Sequence, residues 1–271
     1  MLGSRVLRAD VHEDRAVLVT GGGTGLGRAI ALEFAAGGAK VVVCGRRAEP
    51  LREVRMAVEA QGGSCLDIQA DLRELEQITH VVDKAISEYG RIDFLVNNAG
   101  GQFMAPAEEI SPNGWRAVHN IAVDAVWAMT KQVAVRSMIP NLSGVVFFMA
   151  FSPRRGIPNM VHATSARAAV ENMAAGLALE WSRYGIRTIC IAASSIATDG
   201  LEAAYPEHVR RTWEQGIPVG RMGQPNEVSE LISFLASRGG GYVTGTTVVA
   251  DGGVDAWGTG HPVPQAVGRQ A

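Results

Sequence analysis

Cysteine, charge of one sign and long apolar runs are what this chain has least of. Its three cysteines, Cys44, Cys65 and Cys190, are odd in number and widely separated. That scatter argues against a disulfide framework or a zinc site and fits a reducing compartment. Lys and Arg number 25 against 27 Asp and Glu, a net charge of −2. Neither nucleic acid nor an anionic membrane is expected as a partner. No segment offers about 18 uninterrupted apolar residues, so no membrane span is expected. The opening stretch "MLGSRVLRADVHEDRA" mixes both charge signs and has no apolar core, which does not read as a signal peptide. A cytoplasmic protein is the expectation.

What is present is apolar residue and glycine: 47% of the 271 residues are hydrophobic and 32 are glycine. Short apolar runs fall at 16–20, 40–45, 65–70, 93–98, 144–150, 187–193 and 246–251. Each has the length and β-branched content of a strand buried on both faces. Helix-length stretches at 25–37, 48–60, 73–89, 112–136, 160–184 and 225–237 separate them. Strand–helix alternation of this kind predicts an α/β fold: a doubly wound parallel sheet of the Rossmann type, about seven strands with helices on both faces. One domain over 1–256 is expected. It includes a flap or surface decoration at 199–222, and a Gly/Pro-rich tail at 257–271 follows it.

"TGGGTGLG", Thr20 to Gly27, follows the first strand and opens a helix. Gly21, Gly23, Gly25 and Gly27 permit a tight turn and close backbone approach. With Thr24 and Leu26 they put free helix N–H groups where a pyrophosphate can sit. The second strand ends "CGRR". A site for NAD usually carries a carboxylate there; Arg46 and Arg47 suit a 2′-phosphate, so NADP(H) is the expected cofactor. Asp71 and Leu72 in "ADL" would border the adenine, with Asp71 as the N-cap of the next helix an equally open reading. Asn98, Ala99 and Gly100 in "NNAGG" end the fourth strand at the cofactor's edge.

Taken with the closing "DGG" at 251–253, these motifs resemble the classical short-chain dehydrogenases/reductases over residues 12 to 256. "NNAGGQFMAPAEEISPNGW" and "VHATSARAAVENM" most resemble the peroxisomal-type trans-2-enoyl-CoA reductases, with the 2,4-dienoyl-CoA reductases next. The resemblance implies an Asn, a Ser and a Tyr–Lys pair that relays a proton. At those positions stand Ala122, Ala150, Ala163 and Arg167. Alanine carries no proton, and arginine does not release one near neutrality. Arg167 can still bond a cofactor ribose, and the resemblance places Ile196 and Thr198 at the nicotinamide. It also marks Ser152, two residues beyond the family serine, as a hydroxyl for the oxyanion of a thioester, with Arg167 adding charge.

The resemblance thus implies an NADPH-dependent reductase of an activated C=C in a CoA or carrier thioester, without the usual proton relay. It also implies a homotetramer or dimer packed through the helices at 112–136 and 160–184. A non-redox enzyme keeping the nucleotide as a structural element, and a non-catalytic paralogue, stay open. Beside the cleft, His162 reads as packing or interface, Arg154 and Arg155 as solvated charges or contacts to a CoA phosphate, and Asp124 as a surface or interface charge.

Overall fold

The computed structural model describes residues 7–154 and 156–257. Strands β1 (Ala16–Thr20), β2 (Lys40–Gly45), β3 (Cys65–Gln69), β4 (Phe94–Asn97), β5 (Gly144–Phe151), β6 (Ile186–Ala193) and β7 (Thr246–Ala250) form one sheet ordered β3-β2-β1-β4-β5-β6-β7. All neighbours are parallel. The expected doubly wound α/β architecture is therefore the one observed. Helices α1 (Gly25–Ala36), α2 (Ala48–Glu59) and α3 (Leu75–Tyr89) link the first four strands. The helix expected over 112–136 is α4 (Pro112–His119) and α5 (Ala125–Val133). π-Helical turns at Asn120–Asp124 and Ala134–Met138 carry the helical path onward. Helix α6 (Val161–Trp181) joins β5 to β6, and α9 (Pro225–Ala236) leads towards β7.

Alternate residues of each strand point to opposite faces, which splits the core in two. Val17, Val19, Val41, Val43, Phe147 and Ile191 pack under α1, α2 and α9. Leu18, Val42, Leu95, Val146, Phe148 and Cys190 pack under α3, α5 and α6. Each such apolar side chain contributes about 1.5–3 kcal/mol on burial. The stretch read as a flap holds two short helices, α7 (Asp199–Ala204) and α8 (Glu207–Gln215). It is pinned to the "DGG" turn where the Val219 N–H donates to the Gly252 carbonyl at 3.1 Å. The tail beyond residue 257 lies outside the described residues, as does Arg155. Among the described residues no helix is long and apolar enough to cross a membrane.

A buried histidine ties the segment before β1 to this frame. The His12 ring stacks on Phe34 of α1 with centroids 4.8 Å apart, and its Nε2 lies 2.8 Å from the Ser233 hydroxyl of α9. Burial, helped by the nearby Arg15, pushes its pKa down to about 4. The unfolded chain takes up this proton near about 6.5, so between those values it binds more protons than the fold. His12 therefore favours the fold fully above about pH 6.5. That contribution is lost as pH falls through the window, by up to about 3 kcal/mol. Urea unfolding at several pH values between 7 and 4.5 should show the midpoint dropping, with a shallower pH slope in His12→Leu. An equal slope in the two proteins would remove His12 as the cause.

Candidate active site

The strand order reverses direction between β1 and β4, and a crevice opens beyond their C-terminal ends. Thr20 and Asn98 stitch its floor. The Thr20 hydroxyl accepts from the N–H groups of Asn98 and Ala99, each at 3.0 Å. The Asn98 side-chain amide donates to the Thr20 carbonyl at 3.0 Å. Gly21 sits at φ +64, a left-handed conformation that a side chain would strain. Gly27 is close-packed: a Cβ there would overlap the Gly21 carbonyl and the Asn98 amide. The N-terminus of α1 has neither a side-chain cap nor an acidic residue in its first turn, leaving its N–H groups unpaid by the protein.

This crevice is a cleft of about 540 Å³. Gly21, Gly23, Thr24, Leu26 and Gly27 line one wall; Arg46 and Arg47 border one end with Asp71 and Leu72. Asn98, Ala99 and Gly100 line it further along, towards Phe103, Val118 and Ile121. Most sequence-predicted positions thus converge. Gly25 does not line the cleft but packs on Thr198, whose side chain would lie 3.6 Å from a Cβ there. Thr198 instead caps α7 by accepting from the Leu201 N–H at 3.2 Å. Ile196 lines a separate cavity of about 320 Å³ with Ser194, Ser195 and Asp251.

Asp71 corrects one of the open readings: the N-cap of α3 is Glu74, not Asp71. Asp71 instead accepts from the Arg73 backbone N–H at 3.1 Å and from its Nε at 2.9 Å. The Arg73 guanidinium, with a smaller contribution from Arg46, holds the Asp71 carboxyl down to about 2. The arginine pair read from sequence is therefore joined by a third, Arg73, at the same end of the cleft.

The other end is poor in free polar groups. Ala122 and Ala163 are buried together with Val118, Met160 and Ala166, forming an apolar wall. Ala150 belongs to the core under α6. Arg167 is buried, donates from Nη1 to the Met149 carbonyl at 2.8 Å and lies 5.1 Å over the Phe151 ring. Its Nη2 occupies the space a Cβ on Gly100 would need, and burial lowers its pKa. Ser152 is buried, and its hydroxyl donates to the Asp251 carboxylate in a short bond. Asp251 also accepts from the N–H groups of Gly253 and Asp255, each at 2.7 Å. From the sequence Asp251 is visible only as part of the "DGG" motif; it stands 99 positions beyond Ser152, and no spacing rule could pair them.

Arg154 donates to Glu171 at 2.8 Å while remaining partly exposed, and Asp124 faces solvent. His162, expected to pack, is fully buried against Phe103 with ring centroids 4.3 Å apart. Burial lowers its pKa and the nearby His119 adds to this, while a weaker polar approach of the Phe103 backbone opposes them without reaching full hydrogen-bond geometry at either ring nitrogen.

The tight floor yields a direct test. Gly27→Ala must spread the Gly21 and Asn98 segments, which should cost about 1–3 kcal/mol and lower the urea midpoint. Gly101→Ala meets nothing within 4 Å and should leave the midpoint unchanged. Equal midpoints for the two variants would show that the floor tolerates a side chain.

Known proteins are similar to this chain in sequence and in fold. The family model described as enoyl-(acyl carrier protein) reductase matches residues 21–255. A Bacillus subtilis (strain 168) protein assigned as a (2E)-enoyl-CoA-producing 2,4-dienoyl-CoA reductase is 35% identical over 89% of this chain and 96% of its own. The peroxisomal 2,4-dienoyl-CoA reductase of Danio rerio is 33% identical over 94% and 85% respectively. These relatives belong to the second of the two reductase groups that the sequence resembles. Among solved structures, a Beutenbergia cavernae protein assigned as an NAD(P)-dependent gluconate 5-dehydrogenase, with NADP bound, superposes with a TM-score of 0.84. It is 32% identical over 90% of this chain and 98% of that one. The chain therefore belongs to the short-chain dehydrogenase/reductase oxidoreductases, through the enoyl-(acyl carrier protein) reductase family.

Proposed function

We propose that the protein is an NADPH-dependent reductase of an activated carbon–carbon double bond in an acyl thioester. The observation that carries this reading is the cleft itself. It runs from a cluster of guanidinium groups, past an uncapped helix N-terminus, to an apolar stretch lined by Phe103, Ala117, Val118 and Ile121. These features fit a dinucleotide. The free N–H groups of α1 suit the pyrophosphate, Arg46 and Arg47 a 2′-phosphate, and Asp71 and Leu72 the adenine. Asn98, Ala99, Gly100, Arg167, Ile196 and Thr198 belong at the nicotinamide end on the family resemblance. When bound, NADPH supplies a hydride. The relatives' assigned reaction, reduction of a dienoyl-CoA, supports a thioester substrate.

In this reading the chain's residues orient the thioester and set the local field. Ala122, Ala150 and Ala163 cannot move a proton, so the α-carbon is protonated from water. Arg167 contributes positive charge beneath Gly100. Ser152, its one proton directed to Asp251, holds that carboxylate in place or turns from it to meet the substrate oxygen. The apolar wall also suits a non-redox enzyme, which would form product without consuming nicotinamide. The protein is further proposed to form a homo-oligomer through α4–α5 and α6, which leave Trp115, Trp127, Val161 and Leu179 exposed.

Nicotinamide fluorescence should report NADPH binding that weakens about 10–100-fold in Arg46→Ala, the worth of a charge-assisted hydrogen bond, while NADH binding stays nearly unchanged. The wild-type protein should then oxidise NADPH in the presence of enoyl-CoA or dienoyl-CoA esters. Binding without turnover across that panel would overturn the reductase reading, and equal losses for both nucleotides would overturn the assignment of Arg46.

A further inference from the structure

Beside the cleft, covered by the Phe103 ring that lines it, lies a polar side chain with no hydrogen-bond partner among the described residues. Ser152 is directed to Asp251, and Arg167 donates to the Met149 carbonyl. Asn97 donates to the Thr130 hydroxyl at 2.9 Å, and Asn98 bonds the Thr20 and Gly21 carbonyls. His162 differs: neither of its ring nitrogens has a hydrogen-bond partner, although the side chain is 0% exposed. Buried polar atoms are rarely left unpaired, because each loses its water without compensation. The exception calls for a ligand or a structural reason.

Three observations favour a ligand. His162 directly precedes Ala163 on the first turn of α6, and Ala163 packs with Ala122 and Val118. Its cover is the Phe103 ring, which itself lines the cleft and is 39% exposed. Phe103 lies in a stretch, 98–106, with no regular secondary structure, so moving its ring breaks no helix or sheet hydrogen bonds. Next to it, His119 already has partners. Its Nδ1 lies 3.1 Å from the Trp115 carbonyl and its Nε2 3.3 Å from the Ser165 hydroxyl. Of the two histidines, only His162 has free donor and acceptor capacity.

We propose that His162 is a substrate-binding residue: once an acyl thioester displaces the Phe103 ring, a His162 ring N–H donates to the thioester carbonyl oxygen. The inference rests on the thioester-reductase reading and deepens it. Neutral imidazole presents one N–H donor, which is what an oxygen gaining negative charge requires. No proton is transferred; the hydrogen bond strengthens as hydride reaches the β-carbon and negative charge collects on the oxygen. The role would explain how a site with Ala122 and Ala163 at the positions of the family's Asn and Tyr still stabilises an enolate.

The experiment compares wild type, His162→Phe, His162→Gln and Phe103→Ala with NADPH and a panel of enoyl-CoA and dienoyl-CoA esters. Loss of one oxyanion donor should lower kcat/KM in His162→Phe by about 10²-fold, with the NADPH dissociation constant unchanged. His162→Gln keeps a donor and should recover much of that loss; Phe103→Ala, with the cover removed, should lower KM. A His162→Phe protein as active as wild type overturns the inference while leaving the reductase reading intact. If His162→Phe does not fold, the Gln variant and the imidazole ¹⁵N signals of the wild-type protein decide. A saturated acyl-CoA added in the presence of NADP+ should shift the His162 resonances. Wild type that reduces none of the esters overturns the reductase reading, and unshifted His162 resonances overturn the binding role separately.

Discussion

Seven parallel strands covered on both faces can be joined only by crossovers, and those crossovers must reverse direction somewhere along the sheet. Here the reversal falls between β1 and β4. At that point the connecting segments diverge to opposite faces, and a cleft opens beyond the strand ends. The cleft therefore follows from the sheet's topology. The Thr20–Asn98 hydrogen bonds and the close approach at Gly27 keep its floor shut, and the first turn of α1 beside it has no side-chain cap.

The cleft's two ends use opposite physical strategies. At one end, charge is concentrated and exposed: Arg46, Arg47 and Arg73 gather around Asp71, whose carboxylate is held ionised by Arg73. Water screens such groups, so their worth lies in selecting a charged ligand more than in stabilising the fold. At the other end charge is buried and committed. Arg167 and Ser152 are each bound within the protein, and Ala122 and Ala163 pack in an apolar cluster beside them.

Much of the frame was legible because burial on two faces imposes a simple pattern. Val41, Val42 and Val43 read as one apolar run and turn out to serve both cores in alternation. The glycine spacing of Thr20–Gly27 was equally legible, since its constraint is local backbone geometry. Local rules did less well at Asp71, where an Arg two residues on competes successfully with the helix terminus for the carboxylate. The side chain at Arg167 has the length to reach a ribose, but its Nη1 donates to the Met149 carbonyl. Choices of that kind depend on which acceptor lies nearest in space.

The order of elements, the parallel sheet and the position of the glycine turn were determined by the sequence itself, because each expresses periodicity or backbone freedom within a few consecutive residues. Tertiary structure alone decided that Ser152 meets Asp251, that Arg73 joins the arginines at residues 46 and 47, and that Phe103 seals a histidine with no partner. Those contacts join residues far apart in the chain. Their energies depend on burial and on competition among several acceptors, and neither exists until the strands and helices have been brought together.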